Sequence, residues 1–303
     1  AHAYVRRALD TWTTLNDDMQ RAAAKVMGVV PVHPEEQSAL LCACLDRQAP
    51  FSSKLRVETR CAAAASLARL CVQPTEVVRV LQQGLHDMTT DQRGDVGSWV
   101  RLACMDSLGH VFCDWDVDVP ALESAWVDMV GMLMERIDAV RVKAGHIVRR
   151  VADIHATALP NGESILAVVT EPEELRNAPY AFSVLVPLMS LERYRASLLY
   201  TLSRTIGSRS EMALREAGQA LVDWALTVPD ECVHDILVLL HHRAQSHARE
   251  NRVFVPILQT ILLLLDWDVH KRKSEDVNRM YVIRARAEGR EGVDFWIPGG
   301  LLT

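Results

Sequence analysis

An arginine-led helical pattern recurs along the chain. Segments that start at Arg60, Arg101, Arg141 and Arg195 read RCAAAASLARL, RLACMDSLGHV, RVKAGHIVRRV and RASLLYTLSRT. If the arginine is position zero, a small residue stands at the third position of the first three segments. An aliphatic residue stands at the seventh position of all four. Positions zero, three, seven and ten share one face of an α-helix, so each segment predicts a helix that buries this face.

The spacing of these segments indicates a repeat architecture. The first three arginines are 41 and 40 residues apart, and the fourth follows after 54. The shorter spacings match the period of about 40 to 47 residues in HEAT and armadillo repeats. A second helix fits between successive segments, at Thr75–Asp87 and at Ala121–Arg136, each directly after a proline. The sequence therefore predicts an all-α fold, an α-solenoid of antiparallel helix pairs that share one core.

The pattern also divides the chain. We expect an N-terminal helical segment at residues 1–38, a HEAT/ARM-like helical repeat domain at residues 39–277, and an unassigned tail at residues 278–303. Asn-Gly and Glu-Pro pairs mark a possible break near residues 157–178. Beyond it, further helices are predicted at Pro179–Met189, Glu192–Ile206, Glu211–Thr227, Asp230–Ala248 and Val253–Asp266.

Composition excludes several classes of protein. A net charge of −6 and a pI near 6.0 argue against a nucleic-acid partner. No apolar run in the sequence, Ile261–Leu265 included, approaches the ~20 residues of a membrane span. Seven cysteines, an odd number mostly inside apolar helical patterns, indicate reduced thiols rather than disulfides. We therefore expect a soluble cytosolic protein, and the missing initiator Met suggests a piece of a longer one.

Few residues suggest chemistry. His234, His241 and His247 form the main candidate metal cluster, because His234 and His241 share a helix face. A zinc site needs at least three protein ligands, and no cysteine pair at metal spacing accompanies them. G-x-S-x-G, H-E-x-x-H and P-loop motifs do not occur. We expect no catalysis, metal or cofactor, and a helical metal-dependent enzyme stays an alternative.

The stretch TTDQRGDVGSWVR, Thr89–Arg101, allows three interpretations. An Arg-Gly-Asp adhesion signal requires an extracellular protein, which the cysteine usage argues against. A phosphate-binding loop requires a lysine and a preceding strand, and both are missing. A shaped connection between two helices fits best, because Gly94 and Gly97 allow turns with positive φ, and Asp95 or Ser98 can cap the next helix.

The same stretch supplies the candidate contact residues. The connector is predicted to place Arg93, Asp95 and Arg101 on a ridge of the solenoid. Trp and Arg are enriched among interface hot spots, so these three residues and Trp99 are candidates for a partner contact. A purely structural connector stays open, and Trp99 fits a core position equally well.

Three segments together resemble one family. TTDQRGDVGSWVR resembles a T-D-x-R-G-D-V-G-x-W-V-R signature in the C-terminal half of the tubulin-folding cofactor D family. The segment from Tyr194, YRASLLYTLSRTIGSRSEMALREAGQALVDWAL, and the segment NRVFVPILQTI, Asn251–Ile261, resemble two later parts of the family pattern in the same order. The resemblance covers roughly residues 40–268, and residues 279–303 match nothing we can place.

The resemblance implies a function that composition and spacing alone do not give. Members of this family are HEAT/armadillo-type solenoids that act as tubulin chaperones. They capture β-tubulin, work with cofactors C and E and a small Arf-like GTPase, and help assemble or dismantle the α/β-tubulin heterodimer. The cofactors together promote GTP hydrolysis by tubulin, and cofactor D has no known active site. A cytoplasmic protein of the microtubule cytoskeleton is implied, whereas the residues alone leave a generic HEAT-repeat scaffold or adaptor open.

Overall fold

The computed structural model describes residues 2–49, 51–207 and 211–266, and the repeating structure in these ranges is helical. One isolated bridge between Asp91 and Gly94 is the sole β-type pairing there. The α-helices are α1 (His2–Thr11), α2 (Asp17–Met27), α3 (Pro34–Leu45), α4 (Val57–Leu70), α5 (Pro74–Gly84), α6 (Gly97–Asp114), α7 (Glu123–Gly131), α8 (Asp138–His155), α9 (Gly162–Val168), α10 (Ala178–Leu185), α11 (Glu192–Ile206), α12 (Glu211–Thr227), α13 (Asp230–Ser246) and α14 (Asn251–Asp266). Short 3-10 helices lie at Trp12–Thr14, Ser52–Lys54, Val119–Leu122, Met132–Met134, Pro172–Arg176 and Val186–Ser190.

The chain separates into two compact units, residues 1–205 and residues 206–303. The break predicted near residues 157–178 lies inside the first unit. There, α9 and the 3-10 helix Pro172–Arg176 both pack against α8. The domain bounds 1–38, 39–277 and 278–303 stay predictions, and the tail lies outside the described residues.

The first unit is built from two rows of stacked helices. One row runs α2, α4, α6 and α8, and each of these helices packs on the next. The other row runs α3, α5 and α7, and it continues to α11 through a hydrogen bond of 2.7 Å from Trp126 Nε1 to Tyr194 Oη. Helices of the two rows pair as α3 with α4, α5 with α6, and α7 with α8. This arrangement confirms the predicted all-α helical repeat fold.

One repeat position supplies hydrogen bonds between helices of the first row. Ser66 and Ser107 each stand six residues after the repeat arginine, and each donates a hydrogen bond to the preceding helix of the row. Ser66 Oγ lies 2.8 Å from the Ala24 carbonyl oxygen, and Ser107 Oγ lies 2.9 Å from that of Ala64. The repeat therefore fixes the register between helices as well as the buried face.

In the second unit, α14 packs against α12 and α13. Pro256 lies inside α14 and lies close to Gly207, where an added Cβ would come within 2.5 Å of the Pro256 Cα. A side chain at Gly207 would therefore displace the helix. Among the described residues, no helix is both long and apolar enough to cross a membrane.

All seven cysteines are free thiols. Cys42, Cys44 and Cys104 are buried in the helix interfaces. Burial raises the pKa of the Cys42 thiol to about 11 and that of Cys61 to about 12. Because the thiolate is the reactive form, these cysteines act as small core side chains rather than as nucleophiles.

Candidate functional site

The connector between α5 and α6 contains a tight turn at residues 91–94. Asp91 and Gly94 exchange two backbone hydrogen bonds of 3.0 Å each, and the Arg93 amide donates to Asp91 Oδ1 at 2.7 Å. Gly94 has a φ of 101°, a conformation that favours glycine. The predicted turn with positive φ is therefore present at Gly94.

Gly97 serves a different purpose from the one predicted. It is the first residue of α6 and does not have a positive φ. A Cβ at this position would lie 2.6 Å from the Asp87 carbonyl oxygen and 2.8 Å from the Thr89 nitrogen. The Gly97 amide donates to the Thr89 carbonyl oxygen at 2.8 Å. Glycine is required here because the start of α6 packs directly against the backbone of Asp87 and Thr89. The prediction that Gly97 has a positive φ was therefore wrong.

Arg93, on the connector, and Trp99, in the first turn of α6, form an exposed pair. The Arg93 guanidinium carbon lies 4.8 Å from the centroid of the indole ring, and the Trp99 side chain is 41% exposed. Arg93 donates to Asp91 Oδ2 at 2.7 Å and to Glu58 Oε1 at 2.5 Å, although its own side chain is 48% exposed. Its hydrogen bonds lower the pKa of both carboxyl groups. The guanidinium is thus held in place, and the indole is the accessible apolar group.

Arg101 is buried, so the predicted ridge position is wrong for this residue. Its exposed fraction is 0%, and its guanidinium makes contacts in three directions. Nη1 donates to the Asp87 carbonyl oxygen at 2.6 Å, Nη2 donates to Asp95 Oδ2 at 3.0 Å, and Nε lies 3.1 Å from Glu135 Oε2. The physical reason is its place at position zero of the repeat, on the face that carries the aliphatic residues.

Asp95 is also largely inside, against the ridge prediction, and it bonds to the first turn of α6, although the N-cap residue of that helix is Val96. Its Oδ1 accepts the Ser98 amide at 3.2 Å, and its Oδ2 accepts Arg136 Nη2 at 2.6 Å. Burial alone would raise the pKa of this carboxyl group. The hydrogen bonds and charges of Arg101 and Arg136 outweigh burial, and the pKa lies below its ordinary value. Asp95 therefore stays ionised and joins three separate segments.

This pKa shift predicts how stability depends on pH. A carboxyl group whose pKa is lower in the folded state stabilises the fold above its unfolded pKa of about 3.9, and that contribution is lost as the pH falls through the folded value. We expect an Asp95→Asn variant to be less stable than the wild type at pH 6 and to lose less stability between about pH 4 and pH 3. Urea unfolding across this pH range measures the free energy of unfolding of both proteins. If it falls equally steeply with decreasing pH in both, the lowered pKa of Asp95 does not contribute to stability.

The other repeat arginines occupy equivalent interior positions. Arg60 pairs with Asp87, and Arg195 Nε donates to the Met189 carbonyl oxygen at 3.0 Å. Arg141 Nε donates to the Leu175 carbonyl oxygen at 2.6 Å. Each arginine holds a connecting segment from inside the fold. The sequence analysis missed this role, although the signal was the arginine on the aliphatic face of each segment.

The histidine cluster does not form a metal site. His234 and His241 are buried on α13, and His247 lies just past its end, with Nδ1 3.1 Å from Glu250 Oε1. Within the described ranges, no group of three or more His, Cys, Asp or Glu side chains is placed to hold a metal ion. The alternative of a metal-dependent enzyme at His234, His241 and His247 therefore has no site in this part of the chain.

Comparison with known proteins decides the family. Residues 123–283 match the family model described as tubulin folding cofactor D C terminal, and the match covers just over half of the chain. The chain belongs to the tubulin folding cofactor D family. This is a chaperone-type, non-catalytic family. It implies tubulin-related partners, which favours the tubulin-related interpretation over a generic HEAT-repeat scaffold. Two of the three resembling segments lie within the match, and the Thr89–Arg101 stretch precedes it. No solved structure matches the chain.

Proposed function

We propose that the chain is a tubulin-chaperone segment that binds β-tubulin and helps assemble or dismantle the α/β-tubulin heterodimer, without catalysis of its own. The observation that carries this proposal is the family match over residues 123–283. The partners that go with it are cofactors C and E and a small Arf-like GTPase, with stimulation of GTP hydrolysis by tubulin as the joint outcome. The proposed location is the cytoplasm, at the microtubule cytoskeleton.

The proposed contact residues are Arg93, on the connector, and Trp99, in the first turn of α6. Residues 90–94 are all exposed, and the turn at Asp91–Gly94 is fixed by its own hydrogen bonds. A surface that is already ordered loses less conformational entropy when it binds. The indole supplies a large apolar contact, and Arg93 orients it. Asp95 and Arg101 lie beneath this surface and hold it in place. We therefore no longer propose a direct contact between these two residues and a partner.

We expect Trp99→Ala to weaken binding of native α/β-tubulin about tenfold or more, because hot-spot truncations commonly have effects of this size. The measurement is a pull-down titration with the full chain as bait. Tyr180→Ala is the matched control, since Tyr180 is another exposed aromatic, 37% accessible, on α10. If no tubulin binds to the wild type, this chain does not have the proposed function. If both variants bind like the wild type, Trp99 is not a contact.

A further inference from the structure

The helix α14 carries an apolar stripe on its exposed side, in addition to the side that packs against α12 and α13. Val255 is 45% exposed and Leu262 is 48% exposed, and Leu258 and Leu265 are partly exposed. Their spacings of three, four and three residues place these four side chains along one face of the helix. We call this face the α14 stripe.

The α14 stripe does not have the composition of a helix face that stays in water. From Val253 to Leu265 the helix contains no Asp, Glu, Lys or Arg. The exposed side of α8, by contrast, carries Lys143, Arg149 and Arg150. A solvent-facing side normally bears such charged residues, and the outermost layer of a solenoid has a polar outer face. The α14 stripe therefore resembles an inner layer that something else covers.

The chain that directly follows α14 contains a segment suited to cover it. The sequence continues for 37 residues after Asp266, and the family match extends past α14 to residue 283. Residues 277–283 read VNRMYVI, in which five of the seven residues are apolar. The segment therefore belongs to the same matched domain as α14 and has apolar side chains to place on the stripe.

Length and charge both favour this segment as the occupant. Ten residues separate Asp266 from Val277, and such a linker spans up to about 35 Å when extended, whereas the 16 residues of α14 are about 24 Å long. The segment can thus reach every part of the stripe. Residues 277–287 carry three arginines and no acidic residue, whereas residues 211–266 carry eight acidic residues and four arginines. Opposite charges favour such a contact.

We propose that residues 277–283 pack on the α14 stripe and form the next layer of the helical stack. The contact removes the exposed Val255 and Leu262 side chains from water, which is its main driving force. A segment of this length does not hold a fixed structure by itself in water, so its order depends on the contact. The inference goes beyond the proposed function, since the contact forms without tubulin.

The test measures amide hydrogen–deuterium exchange along the full chain by mass spectrometry, with no tubulin present. We expect the amides of residues 277–283 to exchange about tenfold or more slowly than in an unstructured chain. Leu262→Asp places a charge within the stripe and should return these amides to the unprotected rate, and Tyr281→Asp should do the same from the other side of the contact. Ile154→Asp is the matched control, because Ile154 is another exposed aliphatic residue, 54% accessible, on α8.

The same experiment shows whether the variants stay folded, and sedimentation velocity identifies the occupant. Exchange in α4 and α6 should be unchanged in both variants, and all proteins should sediment as monomers. The proposal is overturned if residues 277–283 are unprotected in the wild type, or if both variants leave their protection intact. A wild-type dimer that Leu262→Asp converts to a monomer would assign the stripe to a second copy of the chain instead.

Discussion

Replacing Arg101 with methionine is expected to lower the free energy of unfolding by about 3 to 5 kcal/mol, because breaking a buried ion pair leaves its partners uncompensated. The substitution removes the donors to the Asp87 carbonyl oxygen and to Asp95, and it removes the cation beside Glu135. Methionine fills a similar volume, so lost packing contributes little. Urea unfolding followed by the far-ultraviolet circular dichroism of the helices measures the change.

Arg93→Met is the matched control for this experiment. Arg93 lies eight positions before Arg101, on the connector that leads into α6, and pairs with two carboxylates, but its side chain is 48% exposed. Exposed ion pairs contribute about 0 to 1 kcal/mol, so the control should unfold almost like the wild type. Equal losses in the two variants would show that burial of the Arg101 cluster does not determine its contribution.

The helices were predictable because their apolar period is local information. The predicted bounds Glu192–Ile206 and Glu211–Thr227 coincide with α11 and α12, where an uninterrupted 3.6-residue pattern lies between clear breakers. The helix predicted at Ala121–Arg136 is shorter than expected. It occurs as α7 flanked by the 3-10 helices Val119–Leu122 and Met132–Met134. A tighter helix preserves the same apolar spacing over one turn, so periodicity cannot distinguish the two.

The connector was predictable in type but not in its contacts. The turn at Gly94 and the hydrogen bond from the Ser98 amide to Asp95 follow from neighbouring residues, so the sequence was sufficient for both. The partners of Arg101 include Glu135, which comes from the turn before α8. No local pattern connects the two segments. The repeat pattern places Arg101 on the same helix face as the aliphatic residues, and this position indicated burial. The prediction of an exposed ridge position followed from the charge of Arg101 and was wrong.

Gly97→Ala is expected to lower the free energy of unfolding by about 2 to 3 kcal/mol, although alanine is the better helix former. The new Cβ would lie 2.6 Å from the Asp87 carbonyl oxygen and 2.8 Å from the Thr89 nitrogen, both backbone atoms that cannot rotate away. Moving Asp87 also disturbs its contacts with Arg60 and Arg101, so the effect reaches both repeat arginines.

Gly94→Ala separates this steric effect from backbone strain. An added Cβ at Gly94 would have no atom within 4 Å. The φ of Gly94 is 101°, a conformation that is unfavourable for alanine, so backbone strain alone should lower the free energy of unfolding by about 1 to 2 kcal/mol. Gly94→Ala should therefore lose less stability than Gly97→Ala and leave the fluorescence of the partly exposed Trp99 closer to that of the wild type. A Gly97→Ala chain as stable as the wild type would show that the backbone at Asp87 and Thr89 yields easily. The connector would then be a compliant segment, and a preformed Arg93–Trp99 surface would lose its physical basis.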